Sequence, residues 1–174
     1  MSAINPDQTT QAMKSVDDYL REFPTSTDPK AAVFLGGACN PTVWRFAEAI
    51  PALEKAKVSY FNPQVREWTE DLIGKEDEAK ENAKVLLFVI DHQTRGVASM
   101  VEACEYVSLG KPTVLVIVEI APGAVIDGEP IGPNQLKDLN RGRKYLADTA
   151  RQHSVPVFDK IPDAVKQIIA MAHE

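Results

Sequence analysis

From Ala31 onward, short apolar runs alternate with longer stretches of helical periodicity. Ala31–Leu35 is a compact apolar run closed by Gly36-Gly37, as expected of a strand buried on both faces. Val58–Phe61, Lys84–Asp91 (KVLLFVID) and Thr113–Val118 (TVLVIV) repeat the pattern, and Val155–Phe158 is a weaker fifth run. Between them, Trp44, Ala47, Ile50, Leu53 and Ala56 recur at helical intervals, with Pro51 predicting a kink or break. Thr69 is placed to cap the acidic helix that follows it. Val97–Leu109 reads as a helix stopped by Gly110 and Pro112, Pro133–Arg151 as a polar helix, and Pro162–Ala172 as a closing one. In the Val97–Leu109 helix, Val97, Val101, Cys104 and Ser108 are the stripe expected to pack on the sheet.

Strands alternating with helices require right-handed crossovers and a parallel sheet covered on both sides. The expected fold is therefore α/β: a flavodoxin-like or Rossmann-like doubly wound sheet of four to five parallel strands. Residues 1–30 form a lead-in with a short amphipathic helix, on which Met13, Val16, Leu20 and Phe23 recur before Pro24, and residues 31–174 form one domain. The connection Glu119–Gly132 is longer than most and is expected to act as a lid or a subunit contact.

Composition narrows the function classes. A net charge of −6 with scattered Lys and Arg argues against binding a nucleic-acid polymer. Two cysteines without a C-x-x-C pair and three dispersed histidines give no metal or disulfide signature, so no cofactor or metal is expected. The opening MSAINPDQTTQAMK lacks the basic start and apolar stretch of a secretory signal, and no apolar run approaches a bilayer span, so a cytoplasmic location without membrane contact is expected.

In open parallel sheets, ligands collect at the carboxyl ends of the strands where strand order reverses. That crevice should lie between Gly36–Pro41 (GGACNP) and Asp91–Ser99. GGACNP matches neither the dinucleotide fingerprint nor the P-loop, and its plain reading is a tight turn. Glu102, two turns into the helix after the third strand, is either a solvated carboxylate or the key acid of the site, while Glu76, Asp77, Glu78 and Glu81 read as a solvated helix face or a source of a proton donor.

The segments FLGGACNPTVWR, YFNPQVREW and KENAKVLLFVIDHQTRGVASMVEACEYVSLGKP resemble the nucleoside 2-deoxyribosyltransferase-like family over about Ala31 to Val118. The resemblance implies a nucleophilic carboxylate at Glu102 and the family's proton-managing aspartate replaced by Glu76, with Asp77 or Glu78 as neighbours able to take that part. Where well-known members hold the sugar hydroxyls with an aspartate, this chain has Gly96, and Ala103-Cys104-Glu105 stands where Leu-Gly-Tyr is common.

The expected chemistry is cleavage and re-formation of a nucleoside N-glycosidic bond through a glycosyl-glutamate, a two-carboxylate logic shared with retaining glycosidases. It would serve nucleotide salvage. Glu102 would be nucleophile and Glu76 general acid, with Asp77 as substitute. Substrate contacts would come from Gly36, Gly37, Asn40, Trp44, Asn62, Gln64, Trp68, Asp91, Arg95, Gly96 and Ser99. Among these, Asn40, Asn62 and Gln64 are suited to reading a base edge, Trp44 and Trp68 to stacking, and Asp91 and Ser99 to holding sugar hydroxyls. Arg95, with Arg45, is suited to a phosphate if the ligand is a nucleotide. Transfer to a second base, hydrolysis as a nucleoside or nucleoside monophosphate N-glycosidase, and a non-catalytic nucleotide-binding module all remain open on sequence. The partners expected are a nucleoside or nucleotide, a free base, and further copies of the chain in a homo-oligomer.

Overall fold

Five parallel strands form the centre of the protein, in the sheet order Tyr60–Phe61 (β2), Val33–Gly37 (β1), Val85–Ile90 (β3), Thr113–Ile117 (β4) and Val157–Phe158 (β7). The computed structural model describes residues 14–22, 26–66 and 69–174. Met13, Phe23, Pro24 and Trp68 therefore lie outside the described residues. In chain order, the strands of this sheet are β1 (Val33–Gly37), β2 (Tyr60–Phe61), β3 (Val85–Ile90), β4 (Thr113–Ile117) and β7 (Val157–Phe158). The fold is α/β and doubly wound, with the order reversing between β1 and β3 as the flavodoxin-like expectation requires.

The helices divide between the two faces. A π-helical turn (Arg45–Ala49), α2 (Ile50–Lys55) and α6 (Ile161–His173) cover the odd-numbered side chains of β3. α3 (Asp71–Asn82), α4 (Val97–Ser108) and α5 (Pro133–Gln152) cover Phe34, Leu86, Phe88 and Ile90 on the other face. Every residue of β3 is buried, so the strand reads as an unbroken apolar run rather than an alternation. α1 (Val16–Glu22) adds Tyr19, which stacks on Phe46 with ring centroids 5.5 Å apart.

Three local expectations are corrected, and one loop proves to have structure of its own. The helix is not broken at Pro51: the π-helical turn Arg45–Ala49 runs directly into α2, with Ile50 N–H bonded to Arg45 O, and Pro51 follows that turn inside one continuous helical run. Thr69 does not cap α3: the helix begins after Glu70, with no side-chain cap, and Thr69 contributes only its carbonyl to Leu72 N at 3.0 Å. The loop Glu119–Gly132 folds into a hairpin, β5 (Val125–Ile126) and β6 (Glu129–Pro130), through Asp127 and Gly128, both at positive φ. Asp-Gly between two short runs is the usual two-residue hairpin signal.

The remaining correction concerns α4. Ser99, Ala103, Tyr106 and Val107 face the sheet, whereas Val97 and Val101 are 55% and 68% exposed. Both stripes have helical spacing, so periodicity alone does not choose between them. Small Ser99 and Ala103 let the helix approach the strand closely, and Tyr106 then stacks on Phe88 at 6.2 Å. Glu102 lies between Ser99 and Tyr106 on the helix surface, beside the packed stripe. Among the described residues, no helix is long and apolar enough to cross a membrane.

Candidate functional site

On α3, Leu72, Glu76, Ala79, Lys80 and Ala83 share one face by the i, i+3, i+4 rule, and Leu72, Ala79 and Ala83 anchor it in the core. The inward rotation carries two charged groups with it. Lys80 has only 8% of its side chain exposed, and Glu76 is half-buried, while Asp77, Glu78 and Glu81 stay in water. The acidic run is therefore solvated along one side and engaged along the other.

Lys80 connects α3 to α4. Its ammonium donates to Glu102 Oε1 at 2.6 Å and lies 3.2 Å from Asp77 Oδ1. It also sits over the rings of Phe34 and Tyr106, 5.7 and 5.8 Å from their centroids, where the ring faces favour a cation. Glu102 keeps 34% of its side chain exposed, which is enough for access but not a bulk-water position. Among the described residues, Oε2 of Glu102 accepts no hydrogen bond.

Burial pushes the Glu76 carboxyl above its usual range; Lys80 opposes that shift, and the negative charges of Glu102 and Asp77 reinforce it. Lys80 is held above the ordinary lysine value because its bond and attraction to Glu102, helped by Asp77, outweigh the burial that pulls it down. Cys39, in the loop after β1, is pushed up by burial and feels the charges of Arg45, Glu76 and Glu102. Glu76, Glu102, Lys80 and Cys39 thus form one cluster on the α3/α4 face, at the carboxyl end of β1.

Two buried arginines shape the loops around it. Arg45, with no exposed surface, donates to the carbonyls of Leu35 at 3.0 Å, Ala38 at 2.9 Å and Gly37 at 2.8 Å, and its guanidinium lies 4.5 Å from the Trp44 ring centroid. Arg143 of α5, equally buried, donates to Val118 O at 2.9 Å, Asp91 O at 2.7 Å and Thr94 O at 3.0 Å. Each arginine fixes one strand-to-helix loop by satisfying carbonyls that the turn leaves without partners. Arg45 is therefore committed to backbone rather than to a phosphate. Neither Lys80 nor Arg143 was expected from sequence. A lysine one turn after Glu76 was the available signal for the first, and nothing in the polar helix marks the second.

The other candidates divide sharply. Gly36 and Gly37 let β1 approach β3: an added Cβ would meet the Phe88 ring at 2.5 Å or Val89 O at 2.4 Å, and Gly37 has φ +116°. Gly96 starts α4 with φ +68°. Asn62 and Gln64 are buried. Gln64 Nε2 donates to Thr42 O at 2.9 Å and to Cys39 O, and Asn62 Oδ1 accepts from Gln64 N at 3.0 Å, so both brace the loop after β1. Asn40 is exposed beside a cis peptide bond to Pro41. Ser99 is buried against the sheet. Arg95 pairs with Asp127 at 2.6 Å and Glu129 at 2.7 Å, and so holds the β5/β6 hairpin. Asp91 Oδ1 accepts from Gln93 N at 2.8 Å and Thr94 N at 3.1 Å, and with Trp44 it lines a cavity of about 420 Å³ on the α2/α6 face, away from Glu102. Trp68 lies outside the described residues.

A comparison with curated proteins finds no match. The family model described as nucleoside 2-deoxyribosyltransferase like matches residues 30–120, more than half of the chain and the stretch that carries β1, α3, β3, α4 and β4. With Glu102, Glu76 and Lys80 all inside that stretch, the chain belongs to the nucleoside 2-deoxyribosyltransferase-like family.

Proposed function

We propose that the protein cleaves and re-forms the N-glycosidic bond of a nucleoside, with Glu102 as nucleophile and Glu76 as proton donor. The observation that carries this reading is a pair of carboxyl groups with different surroundings in one cluster. Lys80 holds Glu102 at one oxygen, and burial raises the Glu76 carboxyl above its usual range, which suits it to hand a proton to the departing base.

In the first step, Oε2 of Glu102 attacks C1′ and the C1′–N bond breaks. The bonding pair leaves on the base nitrogen, which takes the proton of Glu76. In the second, a ring nitrogen of another base attacks C1′, the ester bond breaks back to the Glu102 carboxylate, and Glu76 recovers a proton from the incoming base. Two inversions retain configuration. Lys80 fixes Oε1, so Oε2 is presented in one orientation. Asp77, 66% exposed and tied to Lys80, is the substitute donor.

Incubation of the protein with deoxyadenosine and free cytosine, and separately with thymidine and free adenine, followed by chromatography, tests the reading. A new deoxynucleoside is expected, together with a deoxyribosyl ester on Glu102 in an acid-quenched digest. The Glu102→Ala variant should show neither. Free sugar and base without exchange would reassign the protein as a hydrolase, and turnover retained in Glu102→Ala would remove the proposed nucleophile.

A further inference from the structure

Lys80 is an almost fully enclosed positive charge, and the glycosidic reading changes what stands opposite it. In the free protein its ammonium donates to Glu102 Oε1 at 2.6 Å and lies 3.2 Å from Asp77 Oδ1. The rings of Phe34 and Tyr106 lie 5.7 and 5.8 Å away. Asp77 is largely in water, so Glu102 is the closer and less screened of the two counter-charges. An enclosed ammonium depends on the carboxylates beside it, and removing one leaves a buried charge short of compensation. When Oε2 of Glu102 bonds C1′, that carboxylate becomes a neutral ester. Lys80 then faces a carbonyl at Oε1, two rings and the exposed Asp77. Glu76 takes on negative charge as it protonates the base, but among the described residues it feels Lys80 without bonding to it. A direct contact is exchanged for a longer one.

We propose that Lys80 sets the balance between the two half-reactions: it destabilises the glycosyl ester relative to the free carboxylate, and so draws Glu102 off the sugar in the second step. This rests on the glycosidic reading and adds a residue that touches neither sugar nor base; Lys80 is a positioning residue that acts through Glu102. In the second step a ring nitrogen of the incoming base bonds to C1′ while the C1′–Oε2 bond breaks, and the departing pair restores the carboxylate charge. The ammonium at Oε1 attracts that charge as it returns, inside a site where little water screens it. In the first step the same attraction holds Glu102 back. The ester therefore occupies a small fraction of the protein and passes its sugar on quickly.

The test reads an equilibrium. The full chain is incubated with thymidine and thymine at a fixed ratio, without a second base. Intact-mass spectrometry after an acid quench then gives the ratio of deoxyribosyl-protein to free protein. A side chain that only oriented Glu102 would, on removal, leave that ratio unchanged or lower it. Lys80→Met and Lys80→Gln should instead each raise it by about fivefold or more, and Lys80→Arg should stay within about twofold of wild type. Transfer of the bound sugar to added adenine should slow in the two neutral variants. Gln keeps a donor without the charge, and it carries the test if the Met variant does not fold. A ratio unchanged or lowered in the neutral variants overturns the proposal and leaves the nucleophile in place, and so does thymine release with no ester in any variant. No thymine release by the wild type overturns the glycosidic reading itself, and this inference with it.

Discussion

The bond between Lys80 and Glu102 should be measurable as a coupling energy. Exposed ion pairs contribute about 0.2–1 kcal/mol, and breaking fully buried ones costs about 3–5 kcal/mol. This pair lies between those limits: the ammonium is almost wholly enclosed, the carboxylate is a third exposed, and their separation is 2.6 Å. A coupling of about 1–3 kcal/mol is expected from the cycle of Lys80→Met, Glu102→Gln and the double variant, read by urea denaturation. The two single variants should differ. Lys80→Met leaves a carboxylate that water can reach and keeps an apolar stem against Phe34 and Tyr106. Glu102→Gln leaves an enclosed ammonium whose remaining ion pair is with the exposed Asp77, so it should be the more destabilising of the two. pH provides a further check. Because the folded Lys80 value lies above the unfolded 10.5, its contribution is complete below 10.5 and disappears as pH climbs through the folded value. A coupling under about 0.5 kcal/mol would mean that the contact is solvated like an ordinary surface pair and would refute the argument that Lys80 fixes Glu102.

Glu76→Gln should change stability in a pH-dependent direction. The folded carboxyl is raised above the unfolded 4.5, so the native state binds the proton more tightly, and wild-type stability falls as pH rises through the folded value. The variant should therefore melt higher than wild type at neutral pH and match it in acid, as thermal scans across that range would show; a variant less stable at neutral pH contradicts the burial argument. Arg45→Met removes three charge-assisted bonds to backbone carbonyls. After the relief of a buried charge, the net loss should be about 3–5 kcal/mol, or roughly 6–20 °C in melting temperature. A loss below about 1 kcal/mol would show that the loop after β1 does not depend on this side chain.

The alternation of buried strands and amphipathic helices was enough to specify the sheet, because a parallel strand covered on both faces has to be apolar along its whole length. KVLLFVID and TVLVIV allow no other economical placement, whereas the choice between the flavodoxin-like and Rossmann-like orders came from the structure. The hairpin through Asp127 and Gly128 was not read from the sequence, although positive φ at both turn positions left the usual Asp-Gly mark there.

Rotation of helices and the pairing of charges were decided elsewhere. α4 carries two stripes of valid spacing, and only the fit of Ser99 and Ala103 against β3, with Tyr106 stacked on Phe88, selects the one that brings Glu102 toward α3. The acidic run of α3 gives no sign that Lys80 reaches across to Glu102, because that contact joins residues 22 positions apart. The inward face of Arg143 is equally silent, since a guanidinium is identified by the carbonyls around it and those come from distant loops. Periodicity records whether a residue is buried; which neighbour it meets depends on how separate elements settle against one another, and that is a property of the packed sheet alone.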